Sequence, residues 1–153
     1  MKSCKLCWVL VVVLALALAY IAYSFVTGKV QPTEDGRVGV VLSKDERNLV
    51  LAEMRAWLEN SQRLLAAANR NDFAEVAKLA RASGMAAEAG TPATLMMKLP
   101  LEMKTLGLGT RAKFDAIAAE AEKTKDAKRV LVGLGDAMGN CVACHATYRF
   151  VQQ

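Results

Sequence analysis

Residues 43–69 have the sequence SKDERNLVLAEMRAWLENSQRLLAAAN. Ser43 is followed three residues later by Glu46, which is the pattern of a helix-capping box. Apolar and small residues then recur at steps of three and four, the spacing of one face of an α-helix. They are Val50, Met54, Trp57, Leu58, Ser61, Leu64, Leu65 and Ala68. We therefore predict an amphipathic helix of about seven turns that begins after Ser43 and ends near Asn69.

A second helix is predicted directly after the first. Asn71 and Asp72 can cap its amino terminus. Its apolar positions are Phe73, Val76, Leu79 and Ala80. We expect it to stop between Gly84 and Gly90, because glycine weakens a helical pattern.

The next stretch, residues 91–109, is rich in Met and Leu and is predicted to be a long connection with one or two helical turns. Pro92, Pro100, Gly107 and Gly109 interrupt it. A third helix is predicted from Thr110 onward. Its apolar positions are Phe114, Ile117, Ala118 and Ala121.

A fourth helix is predicted from Asp126 to the region of Tyr148. One stripe of this helix steps alternately by three and four residues. Its members are Leu131, Leu134, Met138, Cys141, His145 and Tyr148. Four amphipathic helices without strand-like alternation predict an all-α fold, an antiparallel four-helix bundle over residues 43–153.

The first 28 residues differ in composition from this bundle. Lys2 and Lys5 precede residues 8–26, nineteen residues that carry no charge. That length is nearer to the roughly 20 residues of a membrane span than to the roughly 7 to 15 of a signal-peptide core. We predict an uncleaved transmembrane anchor. A cleaved signal peptide, with the cleavage site at residues 17–19, remains the alternative.

Charge around the anchor predicts its orientation. Two lysines precede the apolar run and only Lys29 follows it closely. The positive-inside rule then places the amino terminus in the cytoplasm and the rest of the chain in the periplasm, held at the inner membrane by residues 8–26. Residues 29–42 contain Pro32, Gly36 and Gly39 and are predicted to be a linker.

The remaining charge argues against one class of function. The whole chain carries a net charge of +5, and without the first 28 residues it has 18 basic and 15 acidic side chains. No stripe of Lys and Arg with aromatic residues between them is present in the sequence. We therefore expect no binding to nucleic acid.

The four cysteines fall into two pairs of identical spacing. Only the second pair is followed directly by histidine, in Cys141-Val-Ala-Cys144-His145. Two thiols one helical turn apart can add to the two vinyl groups of a haem while the histidine binds the iron. We predict one covalently attached haem c with His145 as proximal ligand. Cys4 and Cys7 are predicted to be unstructured cytoplasmic thiols.

Other interpretations of this motif have less support. A thioredoxin-like dithiol usually follows a strand in a βαβ unit, which an all-helical chain lacks. A zinc site would need a fourth donor, and His145 is the only histidine. Once His145 binds iron, no Ser-His-Asp or Cys-His arrangement remains for nucleophilic catalysis, so we do not expect an enzyme.

The single histidine also excludes a second histidine as the sixth iron ligand. The methionines that remain are Met54, Met85, Met96, Met97, Met103 and Met138. Met138 shares a helix with His145 and belongs to the proximal side. Met54 lies about 16 Å into the first helix, and residues 141–145 lie about 8 to 14 Å from the end of the fourth, which is adjacent in a bundle. We predict Met54 as distal ligand. A plain core role for Met54, with Met96, Met97 or Met103 as ligand, is the alternative.

Two residues after the motif are candidates for the haem edge. Tyr148 and Arg149 follow His145 closely, and the guanidinium can pair with a haem propionate or face solvent.

The carboxyl-terminal sequence Cys141-Val-Ala-Cys144-His145-Ala-Thr-Tyr148-Arg149 resembles the terminal pattern of the class II cytochromes c, the cytochrome c prime family. The resemblance covers roughly residues 43–150 and implies a four-helix bundle with its haem motif near the carboxyl terminus. Low-spin members take a methionine from the first helix, where this chain has Glu53-Met54-Arg55.

The resemblance implies two functions. One is single-electron transfer with His145 and Met54 on the iron, and the other is binding of NO or CO at a five-coordinate haem. The apolar amino terminus departs from the soluble members and favours a tethered carrier whose partners are redox proteins of the respiratory or periplasmic chain. A homodimer and a purely structural role for the haem remain open.

Overall fold

A computed structural model describes residues 3–152, with side chains from residue 5 onward. Lys2, on which the predicted topology partly depends, and Gln153, the predicted end of the bundle, lie outside the described residues. The chain is mostly helical and carries one small sheet. The elements in order are α1 Ser3–Thr27, β1 Val30–Pro32, β2 Val38–Leu42, α2 Lys44–Asn69, α3 Phe73–Ala82, a 3₁₀ helix Met85–Gly90, α4 Ala93–Lys98, α5 Leu101–Thr124, α6 Ala127–Thr147 and β3 Tyr148–Gln152.

The apolar amino-terminal segment forms the single helix α1. Its stretch Lys5–Thr27 is long and apolar enough to cross a membrane, and none of its most apolar window is buried inside the protein. A core helix of a soluble protein would be covered by the rest of the chain, so this exposure suits contact with lipid. The prediction of unstructured thiols at Cys4 and Cys7 is wrong, because both residues lie within α1.

The predicted caps of three helices are present. The Ser43 hydroxyl accepts from the Glu46 backbone N–H, and the Glu46 carboxylate accepts from the Ser43 backbone N–H at 2.8 Å. Asp72 caps α3 by accepting from Glu75 N–H at 3.1 Å. Asp126 caps α6 through Lys128 N–H at 2.9 Å. These local signals start the three helices where the sequence predicts.

The third predicted helix begins earlier than expected. The helix α5 starts at Leu101 rather than Thr110, so Gly107 and Gly109 lie inside it. A helical glycine costs only about 1 kcal/mol relative to alanine, and packing can supply that. Pro100 precedes the first helical residue and does not interrupt the helix. The connection after α3 is therefore shorter than predicted and contains α4.

The prediction of an all-α fold is wrong at one end of the molecule. The strand β1 pairs antiparallel with β2, and β2 pairs parallel with β3. The segment predicted as a linker thus holds two strands, and its Val40 and Leu42 are fully buried. Tyr148 starts β3 instead of continuing the stripe of α6. Short apolar runs rich in β-branched residues, such as residues 38–42, are ambiguous by periodicity alone.

Two hydrophobic cores result from this arrangement. The alanine-rich core joins α2, α3, α5 and α6, and small side chains let these helices approach closely. It consists of Leu64, Ala67, Ala68, Val76, Ala77, Leu79, Ala80, Phe114, Ile117, Ala118, Ala121, Val130, Leu134 and Ala137. The sheet-side core consists of Val40, Leu42, Leu95, Met103 and Tyr148.

Candidate functional site

A cavity of about 440 Å³ lies between the two cores. Phe114 and Ala137 of the alanine-rich core line it, as do Leu95 and Met103 of the sheet-side core. Its volume falls within the roughly 300 to 1,000 Å³ of small-molecule and cofactor sites. Further apolar walls come from Val50, Leu51, Leu58, Leu99, Leu106 and Leu108. The cavity is therefore suited to a largely apolar ligand.

The helix α6 contributes the predicted attachment residues to this cavity. Cys141, Cys144 and His145 all line it. Both thiols are free, and they lie one turn apart on one face of the helix. Partial burial raises the pKa of each thiol above its ordinary value. Two free thiols separated by one helical turn are the arrangement expected of a Cys-x-x-Cys-His motif.

The predicted proximal residue is anchored through its backbone. The carbonyl of His145 accepts a hydrogen bond from Arg37 Nη1 at 3.2 Å. Arg37 is held by Asp35, with 2.9 Å between Nε and Oδ2, and this contact keeps the Asp35 pKa well below its usual range. The turn between β1 and β2 therefore holds the carboxyl end of α6 through the backbone of His145.

Tyr148 and Arg149 do not join the residues that line the cavity in the described chain. The buried Tyr148 donates its hydroxyl to Glu102 Oε2 at 2.8 Å, and burial together with that carboxylate raises its pKa to about 12. Arg149 is exposed and pairs with Asp35 at 3.2 Å. Tyr148 thus links the start of β3 to α5, and Arg149 links β3 to the turn between β1 and β2.

The candidate methionines differ in whether they line the cavity. Met54, on α2, lines it together with Cys141, Cys144 and His145. Three other methionines line it as well, namely Met96, Met103 and Met138. The remaining two candidates, Met85 and Met97, are exposed and do not line it. The predicted distal ligand is thus in the same cavity as His145, and two of its competitors are too.

A buried arginine that sequence reasoning missed also borders the cavity. Arg111 is only 2% exposed and is ion-paired with Glu53 and, at 2.7 Å, with Glu88. Its guanidinium lies 5.1 Å from the ring of Trp57, and burial lowers its pKa. Because Glu53 precedes Met54, this cluster fixes the part of α2 that carries the candidate ligand.

A second missed cation connects the cavity to α1. Lys104 is buried, and its Nζ donates to the Phe25 carbonyl at 2.5 Å. The same ammonium lies 3.5 Å from the Phe25 ring, and burial lowers the pKa of Lys104. Helical periodicity from Met103 through Phe114 could have placed Lys104 on the same helix as Arg111, but Gly107 interrupts that pattern in the sequence.

The residues present fit a covalently bound haem. Within residues 5–152, whose side chains the structure describes, no group of three or more His, Cys, Asp or Glu side chains is arranged to hold a metal ion. A haem needs no such group, because the porphyrin supplies four nitrogens and the protein only the axial ligands. Two free thiols, one imidazole and several thioethers around an apolar cavity are the donors that a haem c uses.

No protein-family profile matches the chain, and no curated protein or solved structure is significantly similar to it.

Proposed function

We propose that this protein is a membrane-anchored c-type cytochrome that carries single electrons. One observation supports the proposal most strongly: Cys141, Cys144, His145 and Met54 line a single apolar cavity. The sequence pattern alone predicts Cys141 and Cys144 for attachment and His145 and Met54 as the iron ligands. Met54 belongs to a different helix from the other three, so their shared cavity does not follow from the chain order.

We also infer that α2, α3, α5 and α6 form an antiparallel four-helix bundle. Each of these helices contacts two others, α2 with α3, α3 with α5, α5 with α6, and α6 with α2. Short turns join α2 to α3 and α5 to α6, which favours antiparallel neighbours. Cofactor sites in such bundles are built from side chains on facing helices, and the cavity meets that description.

Different residues of the cavity would attach the haem and bind its iron. Cys141 and Cys144 would attach the porphyrin, and His145 and Met54 would bind the iron from α6 and α2. A bound haem supplies an iron that cycles between Fe(II) and Fe(III). Apolar walls would limit the access of water to a bound haem, and the thioether of Met54 would raise its reduction potential. No substrate needs to bind at the iron.

Two polar contacts would position the residues that would bind the iron, His145 and Met54. Arg37 holds the backbone of His145 through its carbonyl. Arg111 of α5 pairs with Glu53, the neighbour of Met54, and with Glu88 of the 3₁₀ helix. The part of α2 that carries Met54 is therefore linked to both of these helices. A small reorganisation of ligands during electron transfer favours a fast reaction, and rigid partners of this kind limit that motion.

The proposed location of the protein depends on the predicted membrane anchor, α1. The helix α1 would span the inner membrane, and the folded domain would lie on the periplasmic side. Redox proteins of the same compartment are the expected partners.

The distal ligand is tested by absorption spectroscopy of the oxidised holoprotein. We expect a low-spin spectrum with the weak sulfur-to-iron charge-transfer band of His/Met haem. The band should be lost in Met54→Ala and kept in Met96→Ala and Met103→Ala. These two controls remove thioethers that line the same cavity.

Other outcomes would change the proposal. Loss of the band in Met96→Ala or Met103→Ala alone would move the ligand to that residue. A high-spin spectrum in the unmutated protein, with CO bound at low concentration by the reduced form, would contradict electron transfer and favour a five-coordinate gas-binding protein.

A further inference from the structure

The end of α1 is built directly into the folded domain. Gly28 has φ of +67°, and a Cβ there would lie 2.6 Å from the Lys98 carbonyl oxygen and 2.6 Å from Pro100 N. The next residue, Lys29, donates its backbone N–H to the Lys98 carbonyl at 2.8 Å, and its own carbonyl accepts from Val41 N–H at 2.8 Å. The chain therefore passes from α1 into the sheet without a flexible tether.

Lys104 makes a second connection at the same place. Its ammonium binds the Phe25 carbonyl and lies over the Phe25 ring, near the carboxyl end of α1. A positive charge there is favourable, because the last carbonyls of a helix lack partners within it. Lys104 also lines the cavity. Lys104 therefore connects α1 to the cavity.

Apolar side chains surround this connection and remain exposed. Val30 is 42% exposed, Met97 38% and Leu101 42%. All three lie within three residues of the Lys29–Lys98 hydrogen bond along the chain. Since a helix suited to span a bilayer ends at Thr27, these side chains lie where the lipid interface would be. Exposed apolar groups at that depth are stabilised by lipid instead of being destabilised by water.

We propose that the bilayer surface is a binding partner of the folded domain itself, with Val30, Met97 and Leu101 resting in the lipid interface. The Gly28 joint and Lys104 then hold the cavity beside the membrane at a fixed orientation. This inference rests on the membrane anchor of the proposed function and does not depend on the haem. It implies that a redox partner reaches the cavity at the membrane surface.

The inference is tested by photo-crosslinking of the full chain. The protein is placed in vesicles of phosphatidylethanolamine and phosphatidylglycerol that contain a phospholipid with a diazirine near the glycerol end of one acyl chain. We expect lipid adducts on α1 and on residues 97–101. Residues 125–132 should carry none, because α5 has 24 residues and places its far end about 36 Å from its start.

Gly28→Ala is the variant expected to change the lipid adducts most, and Gly36→Ala is its matched control. Both glycines have positive φ, +67° and +79°, but a Cβ at Gly36 meets nothing within 4 Å. Gly28→Ala should reduce adducts on residues 97–101 several-fold and leave those on α1 unchanged. Gly36→Ala should keep both sets.

A second pair of variants covers the case in which Gly28→Ala does not fold. Lys104→Met should also reduce adducts on residues 97–101. Lys113→Met is the control, since Lys113 lies on the same helix and bonds instead to the Asp136 carbonyl and to Asn140, each at 2.8 Å.

Three results would overturn the inference. Adducts confined to α1 in the unmutated chain would show an anchor without docking. Unchanged adducts on residues 97–101 in both Gly28→Ala and Lys104→Met would show that the joint does not hold the domain. Absence of adducts on α1 would remove the anchor as well. Haem content is read independently from the absorption of the same samples, so a failure of haem binding is distinguishable.

Discussion

The two ends of α2, α5 and α6 pack in opposite ways. Where α2 and α5 end and α6 begins, alanines and a few larger residues close the alanine-rich core. Where α2 and α5 begin and α6 ends, leucines, methionines and Trp57 surround a cavity of about 440 Å³. The same three helices therefore provide a closed end and an open end, which we call the core end and the cavity end. The contrast suggests that the core end carries stability and the cavity end carries the ligand.

The largest effect is expected from the two cysteine pairs, which have the same spacing. Cys141→Ser combined with Cys144→Ser should abolish covalent haem, because no thioether bond can form. Cys4→Ser combined with Cys7→Ser should leave it intact, because both residues belong to α1 and not to α6. Haem staining on denaturing gels measures the difference. Full staining of the first variant would contradict a role for the cavity end in attachment.

Substitutions at two glycines test whether haem binding needs the open space of the cavity. Gly107 lines the cavity and a Cβ there would meet nothing within 4 Å, so Gly107→Leu should fill the space and lower the haem-loaded fraction several-fold. Gly135→Leu is the control, since Gly135 is also open but does not line the cavity. Both changes raise helix propensity by about 1 kcal/mol, so a general loss of folding cannot explain the result. Equal haem loading in the two variants would indicate that the ligand lies elsewhere.

The core end is tested by two neighbouring leucines. Leu64 is fully buried, and Leu64→Ala should cost about 2 to 5 kcal/mol of unfolding free energy. Leu65 is 43% exposed, and Leu65→Ala should cost about 1 kcal/mol or less. Denaturation of the full chain in detergent measures both. The haem spectrum should be the same in the two folded variants. A changed iron ligand in Leu64→Ala would show that the core end also determines ligand binding.

The smallest effect concerns an ion pair at the cavity end. Lys98 Nζ lies 2.6 Å from Glu46, and this contact and the Ser43 N–H lower the pKa of Glu46 from 4.5. A lowered pKa in the folded state means that the stabilisation is present above the unfolded pKa and is lost as the pH falls. Acidification from about pH 6 to about pH 3 should therefore cost the unmutated chain about 1 kcal/mol more than Glu46→Gln.

Thermal unfolding as a function of pH measures this slope. Asp45→Asn is the control for removing one carboxylate from the same helical turn, and it should keep most of the acid dependence. Identical slopes for the unmutated chain and Glu46→Gln would show that the pair does not stabilise the cavity end.

Local signals explain what could be predicted from the sequence. Ser43, Asp72 and Asp126 cap their helices, and the apolar periodicity after each cap is uninterrupted. The attachment motif and Met54 were also predicted from residue type and depth, and all of them line the cavity.

The missed features depend on contacts between distant parts of the chain. The parallel pairing of β2 with β3 joins residues 38–42 to residues 148–152, and neither run shows its partner in the local sequence. Gly107 and Gly109 concealed the first part of α5, and with it Lys104, whereas Arg111 lies in the predicted part of this helix and only its burial was missed. The partners of those buried cations, Phe25 and Glu53, lie on other helices, so only tertiary structure reveals them.

The central claim is tested most directly by the intact mass of the full chain, produced in a host that attaches c-type haem. The proposal predicts a mass increase of one haem that survives acid extraction and disappears in Cys141→Ser combined with Cys144→Ser. An unmodified mass, in a host that loads another c-type cytochrome expressed alongside it, would contradict the assignment of the cavity to a covalent haem.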